Sequence, residues 1–163
     1  MRFTLILLTL LAVPSYADQE FRINSSVSDS RDFRINSCLS SPPCEVLAEM
    51  AYHEARGEDD RGVLAVMFVA MNRLRHPAFP NTLREVIYQP YQFSYTNDGS
   101  LSRGYVEPEQ RRRMLYLAHE VISGAWESVV GKAVHYHADY VNPNWGYPLY
   151  TTIGRHHFYT RGR

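Results

Sequence analysis

Ala51-Tyr52-His53-Glu54-Ala55-Arg56-Gly57-Glu58 closes the first apolar-patterned segment of the chain. Upstream, Ser41 reads as an N-cap with Pro42 and Pro43 at the first helical positions, and Val46, Leu47, Met50 and Ala51 recur at helical spacing. The pattern predicts a helix that stops near Gly57, because a glycine just past the last periodic residue is the usual stop signal. Glu54 and Glu58 would share a face only if the helix ran on. With the stop at Gly57, Glu54 falls in the last turn, at the negative end of the helix dipole, where a carboxylate is disfavoured. An acid held against that preference is a candidate functional group. The bland reading, a solvated surface acid, is the one that spacing alone favours.

Asp59 or Asp60 then caps a second helix running to about Arg75, and its interior from Val63 to Met71 is apolar on nearly every face, which predicts a buried spine. His76-Pro77 ends it. Thr82-Leu83-Arg84-Glu85 has the form of a capping box and starts a short helix through Tyr88. Gln89 to Gly104 reads as a long polar and aromatic loop, of a length that in compact domains is often functional. Pro108 opens another helix, with Met114, Leu117, Ala118, Val121, Ile122 and Ala125 on its apolar face. Ala133–Tyr140 and Thr151–Tyr159 read as the two strands of an antiparallel ribbon, with Pro143-Asn144-Trp145-Gly146 turning between them. The expected class is α+β: one mostly helical domain with a small antiparallel β-ribbon near the C-terminus.

The 163 residues suit a single domain, with 45% apolar and 21% charged residues and a formal net charge of zero. That charge balance argues against a nucleic-acid partner. Aromatics reach 13%, and 12 of them are tyrosines, which fits a sugar or peptide ligand better than a polyphosphate. For any one tyrosine, filling the core and its rim is the better bet. Met1-Arg2, the apolar run Phe3–Val13 and the small residues up to Ala17 read as a signal peptide over residues 1–17, an uncleaved anchor being the alternative. The run is short of the ~20 residues that span a bilayer, so no stable membrane span is expected after cleavage. The protein is therefore expected to be exported, to a periplasm or cell envelope. Residues 18–37 read as a polar, flexible leader, in which Glu20-Phe21-Arg22-Ile23-Asn24-Ser25 is echoed by Asp32-Phe33-Arg34-Ile35-Asn36-Ser37, and residues 38–163 as the domain. Cys38 and Cys44 bracket a turn-forming stretch and, in an oxidising compartment, are expected to pair.

Several chemistries find no support. There is no phosphate-binding loop and a single lysine, Lys132, and no Gly-x-Ser-x-Gly elbow. A zinc hydrolase is the serious competitor: His135 and His137 share one face of a strand, His156-His157 lies on its expected partner, and His53 neighbours Glu54. No His-Glu-x-x-His motif is present, however, and histidines in a tyrosine-rich ribbon more often hydrogen-bond than bind metal. The remaining candidate is a carboxyl group acting as a general acid. Cleavage of a glycosidic bond needs a proton on the leaving oxygen, and an apolar pocket can lift a glutamic acid to about 6. Glu54 follows an apolar helix and suits that role, provided Arg56 points elsewhere.

Tyr52-His53-Glu54-Ala55-Arg56-Gly57-Glu58, Met71-Asn72-Arg73, Phe79-Pro80, Gln92-Phe93-Ser94, His135-Tyr136-His137 and Ile153-Gly154-Arg155-His156-His157-Phe158-Tyr159 occur in an order that resembles the cell wall hydrolase family named for the spore-cortex-lytic proteins SleB and CwlJ. The resemblance implies a lysozyme-like fold related to lytic transglycosylases. It implies peptidoglycan glycan strands as the partner, cut between N-acetylmuramic acid and N-acetylglucosamine, with no cofactor and no metal. It makes Glu54 the catalytic acid and Glu58, Gln92, Phe93, Ser94, Tyr136, His137 and His156 the substrate-binding set, with His135 on the sheet side of the cleft. The alternatives are a zinc-dependent N-acetylmuramoyl-L-alanine amidase and a non-catalytic wall-binding module. An unidentified regulatory protein remains open as a further partner.

Overall fold

The structure, a computed structural model, describes residues 30–90, 92–96 and 107–161. The expected signal peptide, the leader up to residue 29 and the loop residues 91 and 97–106 lie outside the described residues. The chain divides into two units, Met1–Asp32 and Phe33–Arg163. Of the first unit the described residues, 30–32, are helical; the second carries everything that follows.

Residues 33–39 form helix α1, and a turn at Ser40-Ser41 leads into α2, Pro42–Ala55. Ser41 caps α2 with extended backbone, although its side chain makes no capping hydrogen bond. Cys38 and Cys44 are bridged as expected, with Cα atoms 5.1 Å apart, which ties the end of α1 to the first turn of α2. The expected domain start at Cys38 falls inside this helical region. Ile35 is buried in the core and the Arg34 guanidinium pairs with Glu120 at 2.9 Å, so residues 33–37 pack as part of the domain. A residue pattern this short carries too few apolar positions to reveal that packing in advance.

Helix α3, Asp60–Arg75, is capped by Asp59, whose side chain accepts a hydrogen bond from the Gly62 amide at 2.8 Å. Every residue from Gly62 to Met71 is buried. A helix buried all round needs neighbours on every side, and α2, α4 (Leu83–Ile87), α5 (Pro108–Ile122) and the sheet supply them. The expected capping box is formed: Thr82 Oγ1 accepts from the Glu85 amide and donates to the Glu85 carboxylate at 2.6 Å. α5 buries Met114, Leu117, Ala118 and Val121, but Ile122 and Ala125, expected on the same face, are exposed because the helix ends at Ile122. Arg113 on α5 reaches Asp60 at 2.7 Å and the Glu58 carbonyl at 2.9 Å, fixing the α2–α3 turn.

The expected ribbon has a third strand. β1 (His135–Ala138), β2 (Leu149–Ile153) and β3 (His156–Tyr159) form an antiparallel sheet in the order β1-β3-β2. The stretch read as one strand, Thr151–Tyr159, folds back on itself at Gly154, whose φ of +55° is the left-handed conformation that glycine adopts without strain. β3 thus becomes the central strand, with Tyr136 opposite Phe158 and His137 opposite His157. Consecutive side chains at the end of α3 hold the approach to β1. Asn72 Nδ2 donates to the carbonyls of Gly131 and Ala133, and Arg73 Nε donates to that of Val134 at 2.7 Å.

Candidate active site

α2 ends where the sequence predicts, one residue after Glu54, with Arg56 as its C-cap. Gly57 is not in the left-handed conformation; the turn is closed by the Glu58 amide bonding to the Ala55 carbonyl at 3.0 Å. Glu54 therefore leaves the last turn of a helix that is anchored by its buried neighbours Tyr52 and Ala55. The Arg56 guanidinium points away over the Tyr52 ring, 5.2 Å from its centroid.

Glu54 opens onto a cleft of about 480 Å³ between the end of α2 and strand β1, walled also by Gln92, Tyr136, His137, His156 and Arg73. The Tyr136 phenol donates a hydrogen bond to Glu54 Oε2 at 3.1 Å. Burial first, and then the adjacent Glu54 carboxylate, holds the Tyr136 pKa well above its ordinary value, so this hydroxyl keeps its proton and donates. His53 stacks on Tyr95 with ring centroids 4.6 Å apart, which braces the helix end beside Glu54.

The cleft is more polar than the apolar pocket expected for Glu54, and the largest departure is Arg73. This side chain is 4% exposed. Its guanidinium lies between the Phe79 and Phe93 rings, 5.4 and 5.3 Å from their centroids. Burial lowers its pKa, while the nearby Tyr136 and Glu54 act in the opposite direction. A buried cation is costly unless it is paired or bonded, and here the Val134 carbonyl and the two ring faces hold it. In the sequence Arg73 stands out only as part of the Met71-Asn72-Arg73 motif. The signal is a cation two residues past the buried run Gly62–Met71, but its partner is 61 residues away.

Of the other predicted residues, Gln92, Tyr136, His137 and His156 stand on the cleft wall. Phe93 does not. It is 1% exposed, lies under Arg73 in the core and has no surface to offer a ligand. Ser94 opens a single 3-10 turn, Ser94–Thr96; its side chain is outside what the structure describes. Glu58 is also displaced from the expected substrate-binding role. Its side chain is 13% exposed, lies 3.7 Å from His156 Nδ1, and packs into the space left by the missing Cβ atoms of Gly62 and Gly154. It supports His156 from outside the cleft wall.

His137 has both ring nitrogens engaged, Nδ1 with the Ala138 carbonyl and Nε2 with the Tyr159 hydroxyl, each at 2.8 Å. A carbonyl only accepts, so Nδ1 carries the proton and, in the neutral ring, Tyr159 donates to Nε2. His157 Nδ1 is bonded to Thr152 at 2.8 Å, and His135 is stacked on Tyr147 at 4.5 Å. Among the described residues no three His, Cys, Asp or Glu side chains converge as metal ligands would. Of the histidines that made zinc the competitor, His137 and His157 are engaged in hydrogen bonds and His135 is stacked on a tyrosine.

A sequence profile described as cell wall hydrolase matches residues 57–159. The chain belongs to the cell wall hydrolase family. Within that family it is similar to the spore cortex-lytic enzyme of Bacillus subtilis (strain 168), 33% identical over 122 residues, which are 74% of this chain and 38% of that protein. The spore cortex-lytic enzyme of Halalkalibacterium halodurans is 32% identical over 152 residues, 89% of this chain and 41% of the relative. The chain thus spans about two fifths of the length of these curated relatives. Among solved structures it resembles the catalytic domain of the germination-specific lytic transglycosylase SleB from Bacillus anthracis. That match has TM-score 0.59 and 30% identity, and covers 74% of this chain and 95% of that one. The catalytic domain of the Bacillus cereus SleB protein gives TM-score 0.58 at 29% identity, covering 72% of this chain and 89% of that one. The cell wall hydrolase profile begins at Gly57, so Glu54 lies just ahead of the matched stretch.

Proposed function

We propose that this cell wall hydrolase cuts peptidoglycan glycan strands between N-acetylmuramic acid and N-acetylglucosamine as a lytic transglycosylase, with Glu54 as acid and then base. One observation carries the reading: among the described residues of the cleft wall, Glu54 is the only carboxylate, and an adjacent phenol positions it. Glu54 gives its proton to the glycosidic oxygen as the bond to the muramic acid anomeric carbon breaks and positive charge develops there. The resulting carboxylate accepts the proton of the muramic acid 6-hydroxyl, whose oxygen closes onto the anomeric carbon. The products are a 1,6-anhydro end and a free 4-hydroxyl, with no water consumed and Glu54 protonated again.

Simple hydrolysis is the second reading. It needs a second carboxylate facing the first with room for a water, roughly 6.5–9.5 Å apart, and Glu58, the other acid of the Glu54-Ala55-Arg56-Gly57-Glu58 stretch, packs against glycines and His156. The amidase reading has no converging ligand set among the described residues to rest on. Export to an envelope compartment fits the substrate, and no helix among the described residues is long and apolar enough to cross a membrane. Mass spectrometry of purified sacculi digested with the protein is the test. Anhydro-muropeptides are the expected product, and reducing muramic acid ends in their place would overturn the transglycosylase reading.

A further inference from the structure

Nine large apolar side chains stand exposed among the described residues, and two of them, Tyr140 and Val141, are on the wall of the Glu54 cleft. Tyr140 is the most exposed of the nine, at 79%. A lone exposed tyrosine elsewhere on a surface needs no explanation, but apolar surface inside a polar cleft marks a place where something binds. Packing accounts for the neighbouring Trp145, whose ring meets those of His137, Tyr147 and Tyr159. It does not account for Tyr140.

The turn that carries Tyr140 is fixed on both sides. The Asp139 amide donates to the Arg155 carbonyl at 2.8 Å, and the Val141 amide to the Ala138 carbonyl at 2.9 Å. The Arg155 side chain returns to the Asp139 carboxylate at 3.4 Å, and its guanidinium lies over the Tyr140 ring, 5.8 Å from the centroid. Arg155 thus backs the ring, and its charge is answered by Asp139. What the turn offers the cleft is a held aromatic surface rather than a free charge.

Resting on the glycan reading above, we propose that Tyr140 is a stacking platform for a sugar of the strand beside the bond that Glu54 cleaves. In β-linked N-acetylglucosamine the axial C–H groups give the pyranose ring an apolar face, while the hydroxyls and the acetamide project from its edge. An aromatic ring covers that face and leaves the polar edge in water. Val141, 42% exposed, extends the same apolar surface. A tyrosine has few rotatable bonds and so loses little freedom on binding, and the backing by Arg155 reduces that loss further.

Binding is read first, without catalysis. The β-1,4-linked tetramer of N-acetylglucosamine is titrated into Glu54→Gln protein and followed by NMR. Adding Tyr140→Ala is expected to weaken binding about tenfold. Tyr140→Phe should keep the affinity, because the ring face and not the hydroxyl makes the contact. Trp126→Ala removes an exposed ring off the cleft wall and is the control. An affinity unmoved by Tyr140→Ala overturns the proposal and leaves the glycan reading standing. A loss as large in Tyr140→Phe, or in Trp126→Ala, also overturns it. Absence of binding in the Glu54→Gln parent counts against a sugar cleft altogether and takes the proposal with it. In the active protein, Tyr140→Ala is expected to raise KM for soluble glycan strands about tenfold with kcat nearly unchanged, as for a contact the substrate makes before the bond breaks. A loss in kcat with KM unmoved would sink the stacking role.

Discussion

Tyr136 and Glu54 meet across the cleft, phenol to carboxylate at 3.1 Å, although they lie 82 residues apart and on different elements. The bond unites the end of α2 with the middle of β1. It restrains the orientation of the Glu54 carboxylate at the cleft wall.

Replacing Glu54 with Gln keeps the shape and removes the transferable proton. General acid–base groups contribute about 10²–10⁴-fold, so Glu54→Gln is expected to lose at least a hundredfold in release of soluble muropeptides. Far-UV circular dichroism should be unchanged. Retention of full activity would exclude Glu54 as the acid.

Tyr136→Phe tests the orientation separately from the chemistry. A hydrogen bond to a charged group is worth about 1.5–3 kcal/mol, so the variant is expected to lose roughly ten- to a hundredfold in kcat with little change in KM. An effect confined to KM would make Tyr136 a substrate contact.

The Asn72 and Arg73 pair predicts a stability effect away from the chemistry. Asn72→Ala removes two hydrogen bonds to the carbonyls of Gly131 and Ala133, at about 1–3 kcal/mol for the groups left unpaired. Arg73→Lys keeps the charge but loses the planar group between two rings and the Nε bond to Val134. Both variants should unfold at lower denaturant than the wild type, with Arg73→Lys the more damaged.

His135 sets a pH dependence. Burial, aided by the charges of Arg73, Arg161 and His76, lowers its pKa from 6.5 to about 4. The unfolded chain therefore binds the proton first. The stability contribution is complete above the unfolded value and is lost as pH falls through the window from 6.5 to 4. His156, also lowered by burial, acts in the same direction. Phenylalanine cannot titrate, and His135 Nε2 has no hydrogen bond to lose among the described residues. His135→Phe is expected to flatten the fall in melting temperature between those pH values, and an unchanged slope would relieve His135 of the role.

The bridge between Cys38 and Cys44 closes a short loop, for which chain entropy gives about 2 kcal/mol. Reduction under native conditions should lower the melting temperature by several degrees and leave the sheet intact. No change on reduction would mean that the packing of α1 and α2 holds that corner unaided.

Local signals were legible in the sequence wherever cause and consequence lie within a few residues. Ser41-Pro42, Asp59 and Thr82 marked helix starts that the structure bears out, and Glu54 sits in the last turn of α2 as the Gly57 stop suggested. Long-range pairings were not legible. Nothing near Phe93 in a polar loop says that its ring will lie beneath a buried arginine. Nothing near Glu58 says that its carboxylate will fill space vacated by glycines in α3 and in the β2–β3 turn. The hairpin within Thr151–Tyr159 has its signal, Gly154, but the strand-forming residues on both sides, Thr151-Thr152-Ile153 and Phe158-Tyr159, conceal it.

The contact of Glu58 with Gly62 and Gly154 ties three positions together across evolutionary time. A Cβ at 62 would collide with the Glu58 side chain, and one at 154 with its carboxylate. A descendant that shortens the acid at 58 gains freedom at 62, whereas 154 keeps its demand for glycine because φ is +55° there. Substitutions at 58 and 62 should therefore covary among relatives while 154 stays fixed. Any transplant of this loop into another scaffold has to carry all three residues or none.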